Sequence, residues 1–209
     1  MDNQKDLRNT VKLYQRHIFV ETGARSWYAR VEDSDETVAR LVQALDRSPA
    51  LMPITKVTAY REHGSATGRD FLVFPDALRY AASAEQPEDR IIRQLAGHDL
   101  EVPLASSSLE GTYFFVCVHG ERDERCGRCG PPVIEALEDY LSAQNVLSNW
   151  HVYPCSHVGG HRYAGNLLIY PGGYWYGYVT PSTVSMIVDR VAQGRIFHPL
   201  FRGQMSPRS

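Results

Sequence analysis

Apolar and polar positions alternate along this chain in short blocks whose period switches between two and 3.6. HIFVETG, from His17 to Gly23, is an apolar block running into a turn and predicts a strand. In ETVARLVQAL, Val38, Leu41, Val42 and Leu45 recur at helical spacing behind Ser34 or Asp35, either of which suits a cap. ITKVTAY alternates as a strand from Ile54 to Tyr60, and REHGSATGRD after it reads as a polar loop. FLVFP is an unbroken apolar run of the kind a buried strand carries. PEDRIIRQLAG predicts a helix that Pro87 opens and Gly97 stops.

EVPLASSSLEG lacks periodicity and reads as a connector, after which the order of blocks repeats. TYFFVCV predicts a strand. Pro131 and Pro132 suit a first helical turn, and Ile134, Leu137 and Leu141 give that helix an apolar face. NWHVYPC is a further strand, and a loop from Ser156 to Gly165 leads into NLLIYPGGYWYGYV, two strands around a Gly172-Gly173 turn. Thr180 then caps, Pro181 opens, and STVSMIVDRVAQG turns Val184, Ile187, Val188 and Val191 inward. Each half thus reads as strand, helix, strand, loop, strand or hairpin, helix. The expectation is an α/β chain in two parts, residues 1–105 without cysteine and residues 106–209 holding all four.

Composition narrows the function. With 209 residues, 43% hydrophobic and 22% charged, the chain has an ordinary globular profile. A formal net charge of −2 favours neither nucleic acid nor a membrane surface as partner. No apolar run approaches the roughly 18 residues of a membrane span. The opening MDNQKDLRNTVKLYQR has no apolar stretch of a secretory leader, so a cytoplasmic location is expected. Cysteines in that compartment read as metal ligands or catalytic thiols rather than disulfides.

Three of the four cysteines fall in CVHGERDERCGRCGPP, from Cys117 to Pro132. Cys126 and Cys129 form a CxxC pair, which raises a thiol-disulfide reading. Such enzymes place the attacking cysteine at a helix N-terminus, whereas here the helix is expected to begin after Cys129. The second stretch is CSHVGGHRYAGN, where His157 and His161 flank two glycines. A glycine loop can bend so that both imidazoles reach one ion, and two cysteines with two histidines make an ordinary zinc set as well.

The motif Cys-x-His, Arg-Asp-x-Arg-Cys-Gly, then His-x-Gly-Gly-His-x-x-x-Gly-Asn resembles the sucrase/ferredoxin-like family of thioredoxin-like ferredoxins. The resemblance implies a thioredoxin-like mixed sheet in the C-terminal half and a related-looking α/β layer in the N-terminal half. It also implies a 2Fe–2S cluster on Cys117, Cys126, His157 and His161, and redox donor and acceptor proteins as partners. Cys129 and Cys155 are then spare thiols, and His119, sharing a strand face with Cys117, would support the ligands. Arg125 and Arg162 flank them, Arg125 with Asp123 as a candidate ion pair. Neutral imidazoles in place of thiolates make a cluster less negative and raise its potential. Zinc on the same residues and a Cys126/Cys129 thiol enzyme are the competing readings. Nothing in the motifs supports sucrose hydrolysis, which requires two opposed carboxylates.

Overall fold

The computed structural model describes residues 7–62, 70–81, 87–144 and 149–206. The polar loop read at REHGSATGRD lies, for residues 63–69, outside them. In the first half the order is β1 (Arg16–Glu21), α1 (Glu36–Asp46), β2 (Thr55–Tyr60), β3 (Phe71–Phe74), β4 (Leu78–Tyr80), α2 (Pro87–Leu95) and β5 (Ser106–Ser108). The second half repeats it with β6 (Thr112–Cys117), α3 (Glu124–Ala143), β7 (Trp150–Cys155), β8 (Leu167–Tyr170), β9 (Tyr174–Tyr176), α4 (Pro181–Ala192) and β10 (Phe201–Gln204).

The helices start where side chains satisfy their free N–H groups. Asp35 accepts from Thr37 and Val38 at the head of α1, and Thr180 with Thr183 closes a reciprocal capping box on α4. One sequence expectation fails. Helix α3 begins at Glu124, ahead of both cysteines of the CxxC, with Asp123 as its cap. Pro131 and Pro132 therefore lie inside the helix rather than in its first turn. The stretch read as a connector also contains β5, whose exposed serines pair with β4 along the sheet edge.

The ten strands of the described residues join one mixed sheet in the order β10-β9-β8-β6-β7-β2-β1-β3-β4-β5. Within each half a parallel pair (β1 with β2, β6 with β7) is flanked by an antiparallel strand and its hairpin partner. That is the thioredoxin-like arrangement, a βαβ unit followed by a hairpin and a helix. The registers match as well. Phe19 sits opposite Leu72 and His17 opposite Phe74, as Phe115 sits opposite Leu168 and Tyr113 opposite Tyr170.

Among the described residues the strand ladder joins the halves at a single register pair, Tyr60 with Cys155, between β2 and β7. On a flat sheet β1 and β6, three strands apart, would lie about 14 Å from each other. Instead Phe19 of β1 and Phe115 of β6 stack with ring centroids 3.6 Å apart. The sheet therefore folds over at β2/β7, and the inner faces of the halves close on each other. Phe19, Leu72, Phe74, Tyr113, Phe115, Leu168 and Tyr170 share that inner core. The opposite faces are covered separately, Ile18, Val20 and Val73 by α1 and α2, Phe114, Val116 and Ile169 by α3 and α4. Burial of each such side chain contributes about 1.5–3 kcal/mol.

Candidate metal centre

The fold at β2/β7 puts the C-terminal ends of β6 and β7 beside two loops. Cys117 ends β6, and Cys126 is the third residue of α3, reached through the loop 118–123. His157 and His161 come from the loop 156–166 between β7 and β8. One ligand atom each from Cys117, Cys126 and His157 lies within 4.8 Å of the others. Both cysteines are inaccessible to solvent and His157 is half-buried. All four thiols are free.

Close approach of α3 to β6 makes this convergence possible. A Cβ on Gly130 would overlap the Cys117 carbonyl oxygen and stand 2.8 Å from Val118 Cγ1. Glycine is required there because no side chain fits between helix and strand. The histidine loop turns through Gly159 and Gly160, at φ +97° and +73°, a region in which glycine carries no steric penalty.

The two buried thiols act as a pair. A hydrogen bond from the Cys126 side chain holds the Cys117 thiol well below its ordinary range, against burial, with help from His157. The same bond and burial push Cys126 far up. One thiolate thus forms readily and the second resists, the electrostatics of two ligands crowded at one point before a cation divides them. His157 Nδ1 is buried and has no hydrogen-bond partner among the described residues. Two thiols and an imidazole within 4.8 Å of one another are the donor set of a soft or borderline metal, and these three residues fit an iron–sulfur or zinc centre.

His161 stands at the rim. Its ring centroid is 5.7 Å from that of His157, and its Nδ1 is 3.9 Å from Asp123 Oδ2. Its side chain is 50% exposed, so the structure brings it to the mouth of the site but outside the three-atom group. His119 is buried and makes no approach as a ligand. Its Nδ1 accepts the His157 N–H at 3.0 Å, and Nε2 donates to the Trp27 and Tyr28 carbonyls at 3.0 and 2.8 Å. It ties the histidine loop to the β1–α1 loop of the other half.

Cys155 ends β7, register partner of Cys117, fully buried, and burial raises its thiol well above the usual range. Cys129 lies one helical turn beyond Cys126 and is partly exposed. Because α3 starts before both, helix position no longer argues against a thiol pair; what does is that Cys126 bonds to Cys117 instead. Arg125 pairs with Asp123 at 2.9 Å, and the pair holds the Asp123 carboxyl down to about 2. Arg162 lies exposed, its guanidinium 4.7 Å from the Tyr163 ring centre.

Sequence reading missed three supports: Asp123 as the cap of α3, Asn166, and Arg202. The Asp-Glu signal at 123–124, identical to that at 35–36, marks the first. Among its described residues the first half offers no second centre of this kind. Its counterpart of Cys117 is Glu21, and its counterpart of Cys126, third in α1, is Val38.

A family profile described as sucrase/ferredoxin-like matches residues 7–203. The chain is 27% identical to "Altered inheritance of mitochondria protein 32" of Candida glabrata, over 86% of this chain and 71% of that protein. It is 39% identical to the protein of the same name from Meyerozyma guilliermondii, over 44% of this chain and only 34% of that protein. Among solved structures, a thioredoxin-like [2Fe-2S] ferredoxin from Aquifex aeolicus superposes with a TM-score of 0.43 and 22% identity, over 47% of this chain and 96% of that one. Among the described residues no helix is long and apolar enough to cross a membrane.

Proposed function

Because the chain belongs to the sucrase/ferredoxin-like family and converges two thiols and an imidazole on one point, we propose that it is an electron-transfer protein. It holds a 2Fe–2S cluster on Cys117, Cys126, His157 and His161. The observation that carries this reading is the convergence of one ligand atom each from Cys117, Cys126 and His157 within 4.8 Å of one another.

When bound, the cluster accepts and returns one electron. The residues supply the rest. Cys117 and Cys126 bind as thiolates and, being inaccessible to water, shelter the inner side. His119 fixes the backbone of His157 and so orients the loop. His161, at the exposed rim, would be the fourth ligand, and its exposed ring edge would be the contact point for a partner. Its electron donor and acceptor are separate redox proteins, and the free thiols suit a reducing compartment such as the cytoplasm.

Anaerobic purification tests this. Two irons and two acid-labile sulfides per chain are expected, with a red-brown spectrum that bleaches on reduction. A colourless protein carrying one zinc would overturn the electron-transfer reading and leave a structural metal site.

A further inference from the structure

Arg202, on the C-terminal strand β10, is 2% exposed and lies beneath the histidine loop. Its Nη1 donates to Asn166 Oδ1, its Nε to Thr10 Oγ1 at 3.1 Å and its Nη2 to the Thr10 carbonyl at 3.2 Å. The guanidinium lies 4.4 Å from the centre of the Tyr163 ring and 5.6 Å from that of Trp175. Asn166 in turn donates to the carbonyl of Gly160 at 3.1 Å. A Cβ on Gly160 would overlap Arg202 Nη2, so the loop bends directly over the guanidinium. No carboxylate pairs with Arg202 among the described residues. A buried cation without an anionic partner is costly unless something else nearby carries negative charge.

We infer that Arg202 is a positioning residue that sets the bend of the His157–His161 loop and whose buried charge favours electron uptake at the centre that this loop completes. The inference rests on the cluster reading above. Uptake of one electron adds one negative charge at the centre, with no bond made or broken. Arg202 lowers the energy of that state more than of the oxidised one, because a buried cation is poorly screened. Lysine keeps the charge but not the planar fork that reaches Asn166 and Thr10 together. Charge and geometry therefore separate by substitution.

The test uses the full chain, with the midpoint potential read by spectroelectrochemistry against an electrode mediator. Hydrogen exchange at residues 157–166 is read in parallel, both as purified and after iron removal. Arg202→Met is expected to shift the one-electron equilibrium about tenfold toward the oxidised form, equivalent to 59 mV. Arg202→Lys keeps the wild-type potential but speeds loop exchange several-fold. An unchanged potential in Arg202→Met overturns the electrostatic role, and wild-type exchange in Arg202→Lys overturns the positioning role. If Arg202→Met does not fold, Arg202→Gln removes the charge while keeping an amide that can donate toward Asn166: a lowered potential supports the inference and an unchanged one overturns it. A wild-type chain without iron and sulfide sinks the cluster reading instead, and exchange in the metal-free protein still decides whether Arg202 holds the loop.

Discussion

Phe19 and Phe115 lie ring on ring, planes 9° apart, and each is the same residue of its own half. Both are fully buried at the centre of the first strand of a βαβ unit, opposite a leucine of the neighbouring antiparallel strand. Phe74 and Tyr170, also register equivalents, stack 4.4 Å apart beside them. The halves thus meet through matching positions, as two related layers closed face to face would.

Truncating either ring should therefore loosen both halves. Phe19→Ala and Phe115→Ala are each expected to cost about 3–5 kcal/mol, the range for a buried aromatic. The double variant should cost less than the sum, since one cavity serves both. Urea unfolding followed by tryptophan fluorescence measures this. Two separate transitions, with only the mutated half shifted, would mean that the halves do not share a core.

Much of this layout was legible. The repeated block order follows from periodicity, and α1 and α4 announce themselves through Asp35 and Thr180-Pro181. The start of helix α3 did not, because Gly127 and Gly130 read as breakers and Pro131 and Pro132 as a first turn, although the helix begins at Glu124. Only the packing of the helix against Cys117 explains the second glycine. Strands β5 and β10 have no apolar alternation to betray them and exist through edge pairing. The Cys and His ligand candidates were legible as types. The contacts of His119 with Trp27 and Tyr28, and of Arg202 with Asn166, join residues distant in sequence and leave no local trace.

The four thiols should separate by position. Cys117→Ser and Cys126→Ser are expected to abolish or strongly alter the visible absorbance of the anaerobically purified protein. Cys129→Ser should retain it. Cys155→Ser should retain the colour too, but at a cost of about 1–3 kcal/mol for a hydroxyl in an apolar site. Bleaching by Cys129→Ser with full colour in Cys126→Ser would place the ligand one helical turn further along α3.

Acid sensitivity should follow His17. Its ring is fully buried, bonded through Nδ1 to the Tyr170 hydroxyl at 2.7 Å and through Nε2 to Thr58 Oγ1 at 2.8 Å. Burial, with Lys56 nearby, holds it well below its ordinary value. Below the unfolded-state value near 6.5 the unfolded chain binds a proton that the folded chain refuses. Stability is then fully present above that value and falls as pH drops, by about 1.4 kcal/mol per unit for this one group. His119 and His151, also lowered by burial, add to the slope. His17→Gln should flatten the profile of unfolding free energy between about pH 4.5 and 6.5 by close to one proton. An unchanged slope would mean that His17 takes up a proton in the folded state.

Gly130 sets two known effects against each other. In an exposed helix interior, Gly→Ala stabilises by about 1 kcal/mol through backbone entropy. Gly130 is helical but buried against the end of β6, where an added methyl overlaps the Cys117 carbonyl oxygen. The obstacle is backbone, which cannot swing aside as a side-chain tip can. Overpacking of this kind costs about 1–3 kcal/mol, so the loss should exceed the propensity gain and Gly130→Ala should be destabilising. Relief requires α3 to move off the strand, which carries Cys126 away from Cys117. Iron content after anaerobic reconstitution should therefore fall together with the unfolding midpoint. Were Gly130→Ala to stabilise the protein and keep its full iron, α3 would not be seated on β6 closely enough to bring the two thiols together.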